Sequence, residues 1–196
     1  AAGFDDAASG LRDLLADSVR LRLRSDVRVG TMLSGGLDST SVIALVAEQM
    51  AGDRLTHATT GKSLHSFTAS FPGLRIDDTS NVDELCSQLP LTKHPVLPLD
   101  EGEIFPLLES TIWSMERPWY NSVPIVHYLL MRRAREQQVS VVLNGHGADE
   151  VYAGYPYDYC PMTVADAVLG LCWVRAKREL EGMRNVHGYN AGLVLN

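Results

Sequence analysis

The sequence predicts an α/β fold, a parallel twisted sheet with helices packed on both of its faces. Short β-rich runs alternate with longer segments whose apolar residues recur every three or four positions, as in amphipathic helices. The last short run, residues 139–143, nearly lacks charge, which is typical of a strand covered on both faces. A glycine-containing turn follows the first run and leads into a helical segment, and parallel sheets bind ligands at such turns.

Four runs are predicted to form the strands. The second run alternates between the two faces of a strand, and the pair Pro72-Gly73 ends it. Two prolines, Pro95 and Pro98, confine the third run to an edge of the sheet or to a strand end, because proline cannot donate to a neighbouring strand. The runs cover residues 27–33, 65–71, 94–99 and 139–143.

Six segments have helical periodicity. Acidic residues Asp77 and Asp78 lie at the start of the third, where acids suit the positive end of the helix dipole. Ser122 is a suitable N-cap for the fifth, and Pro124 fits its first turn. The polar segment 52–63 is predicted to be a surface loop. The predicted helices cover residues 7–23, 39–50, 78–89, 104–114, 124–138 and 163–183.

Composition is that of a soluble globular chain with one core. The chain has 196 residues, 45% of them hydrophobic and 21% charged. A net charge of -7 argues against a general nucleic-acid surface. The three cysteines show no Cys-x-x-Cys spacing and indicate reduced thiols, so we expect a cytoplasmic protein. No apolar run is long enough to predict a membrane span.

The turn after the first strand reads Ser34-Gly35-Gly36-Leu37-Asp38-Ser39. Its two glycines let the backbone approach a ligand, and the helix start behind them offers unpaired N–H groups to an anion such as phosphate. Asp38 would repel a bare phosphate, so its presence favours a bridging Mg²⁺ ion. The spacing matches neither of the two common glycine-rich nucleotide loops. A helix cap that binds nothing is the alternative.

A second glycine turn follows the last predicted strand. It reads Asn144-Gly145-His146-Gly147-Ala148-Asp149-Glu150. Because carboxyl ends of parallel strands share one edge of a sheet, we expect this turn to lie near the first. Asp149 offers a second hard oxygen ligand, and Asp38 with Asp149 would hold Mg²⁺ on the phosphates of ATP.

The first turn resembles the pyrophosphate loop of the ATP pyrophosphatases, the PP-loop enzymes. The second turn, followed by Gly154-Tyr155, resembles the signature of the synthetase domain of the glutamine-hydrolysing asparagine synthetases. His65-Ser66-Phe67 and the segment from Glu116 to Pro124 are also similar to that family. The similarity extends over roughly residues 10–160. It implies the adenine nucleotide alpha-hydrolase-like fold and one synthetase domain over residues 1–196.

The resemblance implies a site and a reaction. ATP would adenylate the side-chain carboxylate of aspartate and release pyrophosphate, and ammonia would then attack to give asparagine. Mg²⁺ would lie near Asp38 and Asp149, and the candidate catalytic residues are His146, Asp149 and Glu150. The implied ATP contacts are Leu33, Ala69, Asn144 and Gly145, and the implied pyrophosphate contacts are Ser34, Gly35, Gly36, Asp38 and Ser39.

Two departures from the family bear on the substrate. His146 stands where the asparagine synthetases carry Glu, and it would act as a base or phosphate donor, or merely fill the turn. The family's N-terminal glutaminase domain and its adenylation lysine have no match, so we expect the nucleotide-binding core of a longer protein. A glutaminase domain or subunit and a homo-oligomer are open partners. The alternatives are a β-lactam synthetase-like or lasso-peptide cyclase-like enzyme, or a non-catalytic nucleotide-binding fragment.

Overall fold

The computed structural model describes residues 3–52, 59–74, 77–96, 101–118, 123–152 and 154–187. They fall into two compact units, one ending at Gly145 and one starting at His146. The first unit holds α1 (Phe4–Arg22), β1 (Val29–Met32), α2 (Leu37–Gly52), β2 (Leu64–Ala69), α3 (Thr79–Gln88), β3 (Leu91–Val96), α4 (Glu101–Met115), α5 (Val123–Glu136) and β4 (Val141–Leu143). The second holds α6 (Ala148–Tyr152), α7 (Pro156–Leu169) and α8 (Trp173–His187).

The first unit is built on a four-stranded sheet in the order β3-β2-β1-β4. All three pairings are parallel, and Thr31 of β1 lies between Ser66 of β2 and Leu143 of β4. The predicted parallel sheet is therefore confirmed. β3 lies at an edge, one of the two positions that its prolines allow, because Pro95 needs no second partner strand there.

Helices cover both faces of this sheet, as predicted. On one face, Val19 of α1 and Val46 of α2 pack against Val29 and Leu64. On the other face, α5 packs against strands β2 and β3, because the helical spacing of its apolar residues gives one buried side. That second cluster contains Met32, Phe67, Leu130, Ala134 and Val139. Burial of such aliphatic and aromatic groups is the dominant stabilising term of the unit.

Several element boundaries differ from the sequence prediction. β3 starts at Leu91, three positions before the predicted run, and residues 97–99 of that run lie outside the described part. The segment 52–63 is not wholly a surface loop, since Thr59 is 8% exposed and Thr60 is 1% exposed. Thr59 donates from its hydroxyl to the Leu23 carbonyl at 3.3 Å, which ties this segment to the end of α1. Residues 53–58 lie outside the described part.

The second unit corrects one prediction, because the single helix 163–183 is two helices. The amide of Leu171 donates to the Val168 carbonyl at 3.0 Å, and that of Cys172 donates to Ala167 at 2.8 Å. These two bonds end α7 as a Schellman motif, with Leu171 at a positive φ of 55°. Apolar residues keep their helical spacing across the break, so this spacing gave no sign that the helix ends there. Within the described residues no helix has the length and apolar character to span a membrane.

Candidate functional site

The loop Ser34–Ser39 leaves the carboxyl end of β1 and enters α2. Gly35 has a φ of +83°, a conformation that side chains other than glycine rarely adopt. The hydroxyls of Ser34 and Ser39 lie 3.0 Å apart, the Gly36 amide donates to Ser34 Oγ at 3.3 Å, and Ser39 Oγ donates to the Gly36 carbonyl at 3.2 Å. The loop is therefore closed by its own serine hydroxyls.

The loop lies at the switch point of the sheet. β1 has β2 on one side and β4 on the other, so the connections after β1 and β4 leave a crevice between them. Gly145 lies so close to the first turn of α2 that a Cβ there would be 2.7 Å from the backbone nitrogen of Ser39. Thr31 Oγ1 also donates to the Leu143 carbonyl at 3.1 Å, which joins the ends of the two strands. Gly145 thus reaches the start of α2 from the end of β4, and the ligand roles assigned to Asn144 and Gly145 stay predictions.

The other predicted contacts of the first unit differ in accessibility. Leu33 is 1% exposed, and it packs with Ile43 and Val82. Its amide donates to the Phe67 carbonyl at 3.0 Å, so Leu33 supports the loop as part of the core. Ala69 is half-buried at the carboxyl end of β2. The ligand roles assigned to both residues stay predictions.

The residues of the loop fit a magnesium–phosphate group. Asp38 is half-buried in the first turn of α2, where the helix dipole favours phosphate. In the described part of the chain no three His, Cys, Asp or Glu side chains are grouped as a metal site. Mg²⁺ takes few protein carboxylates and completes its shell with water and phosphate oxygens, so a single carboxylate beside an anion cradle is compatible with it.

In the second unit, Asp149 and Glu150 lie in the first turn of α6. The Gly154 amide donates to the Asp149 carbonyl at 2.9 Å, and any side chain at Gly154 would collide with the Asp149 carboxylate. Tyr155 donates from its hydroxyl to Glu150 Oε1 at 2.6 Å. This bond lowers the pKa of Glu150, with a smaller effect from His146, and raises the pKa of Tyr155 to about 12. The second motif thus has a packed glycine beside Asp149 and a hydrogen-bonded Glu150.

Of the predicted magnesium pair, Asp38 belongs to the first unit and Asp149 to the second. The pair stays a prediction, as do the catalytic roles of His146, Asp149 and Glu150.

Sequence reasoning missed two polar groups of the first unit. At the end of β2, Asp77 accepts hydrogen bonds that connect the strand to α3. On the face covered by α5, His65 Nδ1 and His94 Nε2 are 3.0 Å apart. The register pairs His65 with Thr92 and Phe67 with His94, so only the strand alignment brings the two imidazoles together. The sequence signal for Asp77, an acid just before a helix, predicted a dipole role alone.

Fold and loop together define an α/β protein with a glycine turn at the switch point of a parallel sheet. The family model described as asparagine synthase matches residues 10–191, so the chain belongs to the asparagine synthase family.

Curated relatives carry two kinds of name. A putative asparagine synthetase [glutamine-hydrolyzing] 2 of Methanocaldococcus jannaschii is 33% identical over 74% of this chain and 26% of its own length. Asparagine synthetase B [glutamine-hydrolyzing] of Escherichia coli is 33% identical over 75% of this chain and 27% of its own. The Gibberella zeae protein named amidase chry2 is 30% identical over 77% of this chain and 23% of its own length. The chain therefore spans about a quarter of the length of these relatives.

Among solved structures, the NH3-dependent NAD synthetase of Campylobacter jejuni matches with a TM-score of 0.45 and 19% identity. The match covers 75% of this chain and 60% of that one.

Proposed function

We propose that this chain is the ATP-using part of an amide-forming synthetase. It activates a carboxylate by adenylation with release of pyrophosphate, and ammonia then displaces AMP to form the amide. Aspartate is the proposed carboxylate and asparagine the product, since two of the relatives described above are named asparagine synthetases. The close packing of Gly145 on Ser39 carries this proposal, because it joins the two sequence motifs at one edge of the sheet.

In this proposal, the loop Ser34–Ser39 holds the pyrophosphate group. Its backbone N–H groups and the start of α2 face the charge that builds up as pyrophosphate leaves, and a preorganised site stabilises such charge. Asp38 and Asp149 would hold Mg²⁺, which would neutralise phosphate charge when bound. Asn144 and Gly145, with Leu33 and Ala69, would contact the rest of ATP.

The second motif would act on the acyl group. His146 carries an imidazole, a side chain that can act as a base for the attacking amine. Glu150 is held by Tyr155 at 2.6 Å and would present a fixed carboxylate. Asp149 is seated against Gly154 and would present its oxygens in one orientation. These roles extend the resemblance of the motif and are open to test.

A second candidate function uses the same adenylation chemistry on a different carboxylate or with a different amine. Amidase chry2 is nearly as similar to this chain as the named asparagine synthetases are. The family resemblance is therefore compatible with activation of another carboxylate or attack by another amine, and His146 is the residue of the second motif that departs from the asparagine synthetase pattern.

Exchange of labelled pyrophosphate into ATP tests the proposal. We expect exchange to depend on aspartate and Mg²⁺, and Asp38→Asn to reduce it about 100-fold or more, the usual effect of removing a group that stabilises transition-state charge. Asp13→Asn, on the exposed side of α1, is the matched control and should exchange normally. ATP binding without exchange for any carboxylate tested would support a non-catalytic nucleotide-binding role instead. Exchange with a carboxylate other than aspartate would select the second candidate.

A further inference from the structure

Four residues form a hydrogen-bonded group at the carboxyl end of β2, called here the Asp77 brace. Asp77 Oδ1 accepts from the Phe71 amide at 2.9 Å and from the Thr79 hydroxyl at 2.5 Å. The Thr79 hydroxyl also lies 3.0 Å from that of Ser70. One carboxylate oxygen thus connects the residues that follow β2 to the first residue of α3.

The brace closes the turn between β2 and α3. Leu74 donates from its amide to the Phe71 carbonyl at 3.0 Å, across a turn in which Gly73 has a φ of +83°. The Asp77 amide donates to the Leu74 carbonyl at 3.1 Å, and the Ser70 amide donates to Val96 of β3 at 2.9 Å. The turn is therefore anchored to the sheet at one end and to the helix at the other.

The helix that the brace fixes is packed against the pyrophosphate loop. A Cβ at Gly35 would be 3.1 Å from both Cβ and O of Asp78, and 3.3 Å from the Cβ of Asn81. Gly35 is also the loop residue with the positive φ of 83°. The loop at Gly35 therefore packs closely on the first turn of α3, with no space for a side chain between them.

We propose that Asp77 is a positioning residue for the proposed nucleotide site. Through Thr79 and Phe71 it holds the first turn of α3 against Gly35, and this contact keeps Ser34–Ser39 in the conformation that binds pyrophosphate. The inference rests on the proposed function for the identity of the ligand, and on the geometry of the brace for the mechanism.

The protonation state of Asp77 is consistent with this role. Hydrogen bonds from the Thr79 hydroxyl and then from the Phe71 amide lower the pKa of the carboxyl, so it is charged at neutral pH. Both bonds are accepted by the same oxygen, so an amide in its place can still accept them, but without the negative charge that strengthens them. Asp77→Asn therefore weakens the brace with little change in volume.

The test compares Asp77→Asn with Asp83→Asn in pyrophosphate exchange. Asp83 is an acid on the same helix whose carboxylate is 62% exposed and pairs with Lys93, away from the loop. We expect Asp77→Asn to raise the KM for pyrophosphate about tenfold, the effect of replacing charge-assisted hydrogen bonds by neutral ones. Its kcat and its KM for the carboxylate should change less than about twofold, and Asp83→Asn should match the wild type. A lower kcat with an unchanged KM for pyrophosphate would mean that Asp77 only stabilises the fold.

A second pair of variants guards against misfolding of Asp77→Asn. Thr79→Val removes the bridging hydroxyl and should raise the same KM, whereas Thr79→Ser keeps the hydroxyl and should restore it. Equal behaviour of the two variants would overturn the proposal.

Hydrogen exchange separates this inference from the proposed function. The amides of Ser34, Gly36 and Thr40 are hydrogen-bonded within the loop and the start of α2. Asp77→Asn and Thr79→Val should speed their exchange about tenfold, with α5 unchanged. If the wild type exchanges no pyrophosphate, the proposed function fails, and these amide rates alone decide whether the brace controls the loop. Unchanged rates would refute it.

Discussion

Gly145 lies against the first turn of α2 at a distance that leaves no room for a side chain beside the Ser39 nitrogen. A Cβ at Gly145 would be 2.7 Å from that nitrogen and 2.8 Å from the carbonyl carbon of Asp38. Both neighbours are backbone atoms, which cannot rotate away as a side chain can. The end of β4 and the start of α2 can thus lie in contact only because residue 145 has no side chain.

Gly145→Ala should therefore disturb this contact. We expect the free energy of unfolding to fall by about 1–3 kcal/mol, the usual cost of overpacking, and nucleotide binding to weaken. Urea unfolding and ATP titration measure the two effects. Gly10→Ala in α1 is the control, because nothing lies within 4 Å of its added Cβ. That variant should gain about 1 kcal/mol from helix propensity, and a similar gain in Gly145→Ala would contradict the structure.

The hydrogen bond between Tyr155 and Glu150 should shift the pKa values of both groups, so its removal should be visible in the titration of each. Tyr155→Phe should raise the pKa of Glu150 towards its ordinary value of 4.5, and Glu150→Gln should bring the pKa of Tyr155 down from about 12. Carbon-detected NMR follows the carboxyl, and ultraviolet difference absorbance follows the phenol. Independent titration of the two groups in the wild type would mean that the bond is absent in solution.

The contribution of this hydrogen bond to folding stability is limited to a defined pH range. The pKa of Glu150 is lowered on folding, so its contribution to stability is present above its ordinary pKa and is lost as pH falls through the lowered one. The pKa of Tyr155 is raised, so its contribution is present below 10 and is lost as pH rises towards about 12.

The histidine pair should make the first unit less stable in mild acid. Burial lowers the pKa of His65 and of His94, with further effects from Arg28 on the former and from His65 and Arg133 on the latter. The unfolded chain therefore binds more protons as pH falls through 6.5, and the free energy of unfolding decreases until the lowered folded pKa values are passed.

His94→Gln tests this dependence, because its amide can still donate to His65 Nδ1 but does not titrate. Urea unfolding at neutral pH and in mild acid should show a smaller loss of stability in the variant than in the wild type. An equal loss in both proteins would exclude the pair as its source.

Leu171 offers a test of the helix break. It is 73% exposed and has a φ of 55°, so Leu171→Gly removes backbone strain at little cost in burial. We expect a gain of about 1 kcal/mol in the free energy of unfolding. Leu169→Gly is the matched control, since Leu169 is 84% exposed within α7. It should lose about 1 kcal/mol or somewhat more through helix propensity. The same sign in both variants would contradict the assigned break.

The sequence predicted the parallel sheet and its two helical layers, and it restricted β3 to an edge or a strand end. These depend on local signals such as apolar periodicity and proline, which act within a few residues. The break at Leu171 was missed because its residue type disfavours the conformation that the tertiary structure imposes. The contact between Gly35 and Asp78 was missed for a different reason, since the two residues are brought together by packing and carry no shared pattern.

The two glycine turns could be found from the sequence because glycine marks positions where the backbone has a positive φ or a close neighbour. Their proximity followed from the parallel order of the strands, and Gly145 beside Ser39 agrees with it. The histidine pair depends on the register of β2 and β3, which composition does not reveal.

The position of β1 has a consequence for how the chain is made. Thr31 hydrogen-bonds to Leu143, 112 positions later in the chain. One side of β1 therefore has no partner strand until most of the first unit has emerged from the ribosome. At ordinary translation rates this wait is on the order of ten seconds. During it, β1 exposes an unpaired edge of the kind that recruits other strands. The newborn chain is therefore most prone to aggregate before β4 arrives, and a chaperone that shields β1 over that interval would raise the yield of folded protein.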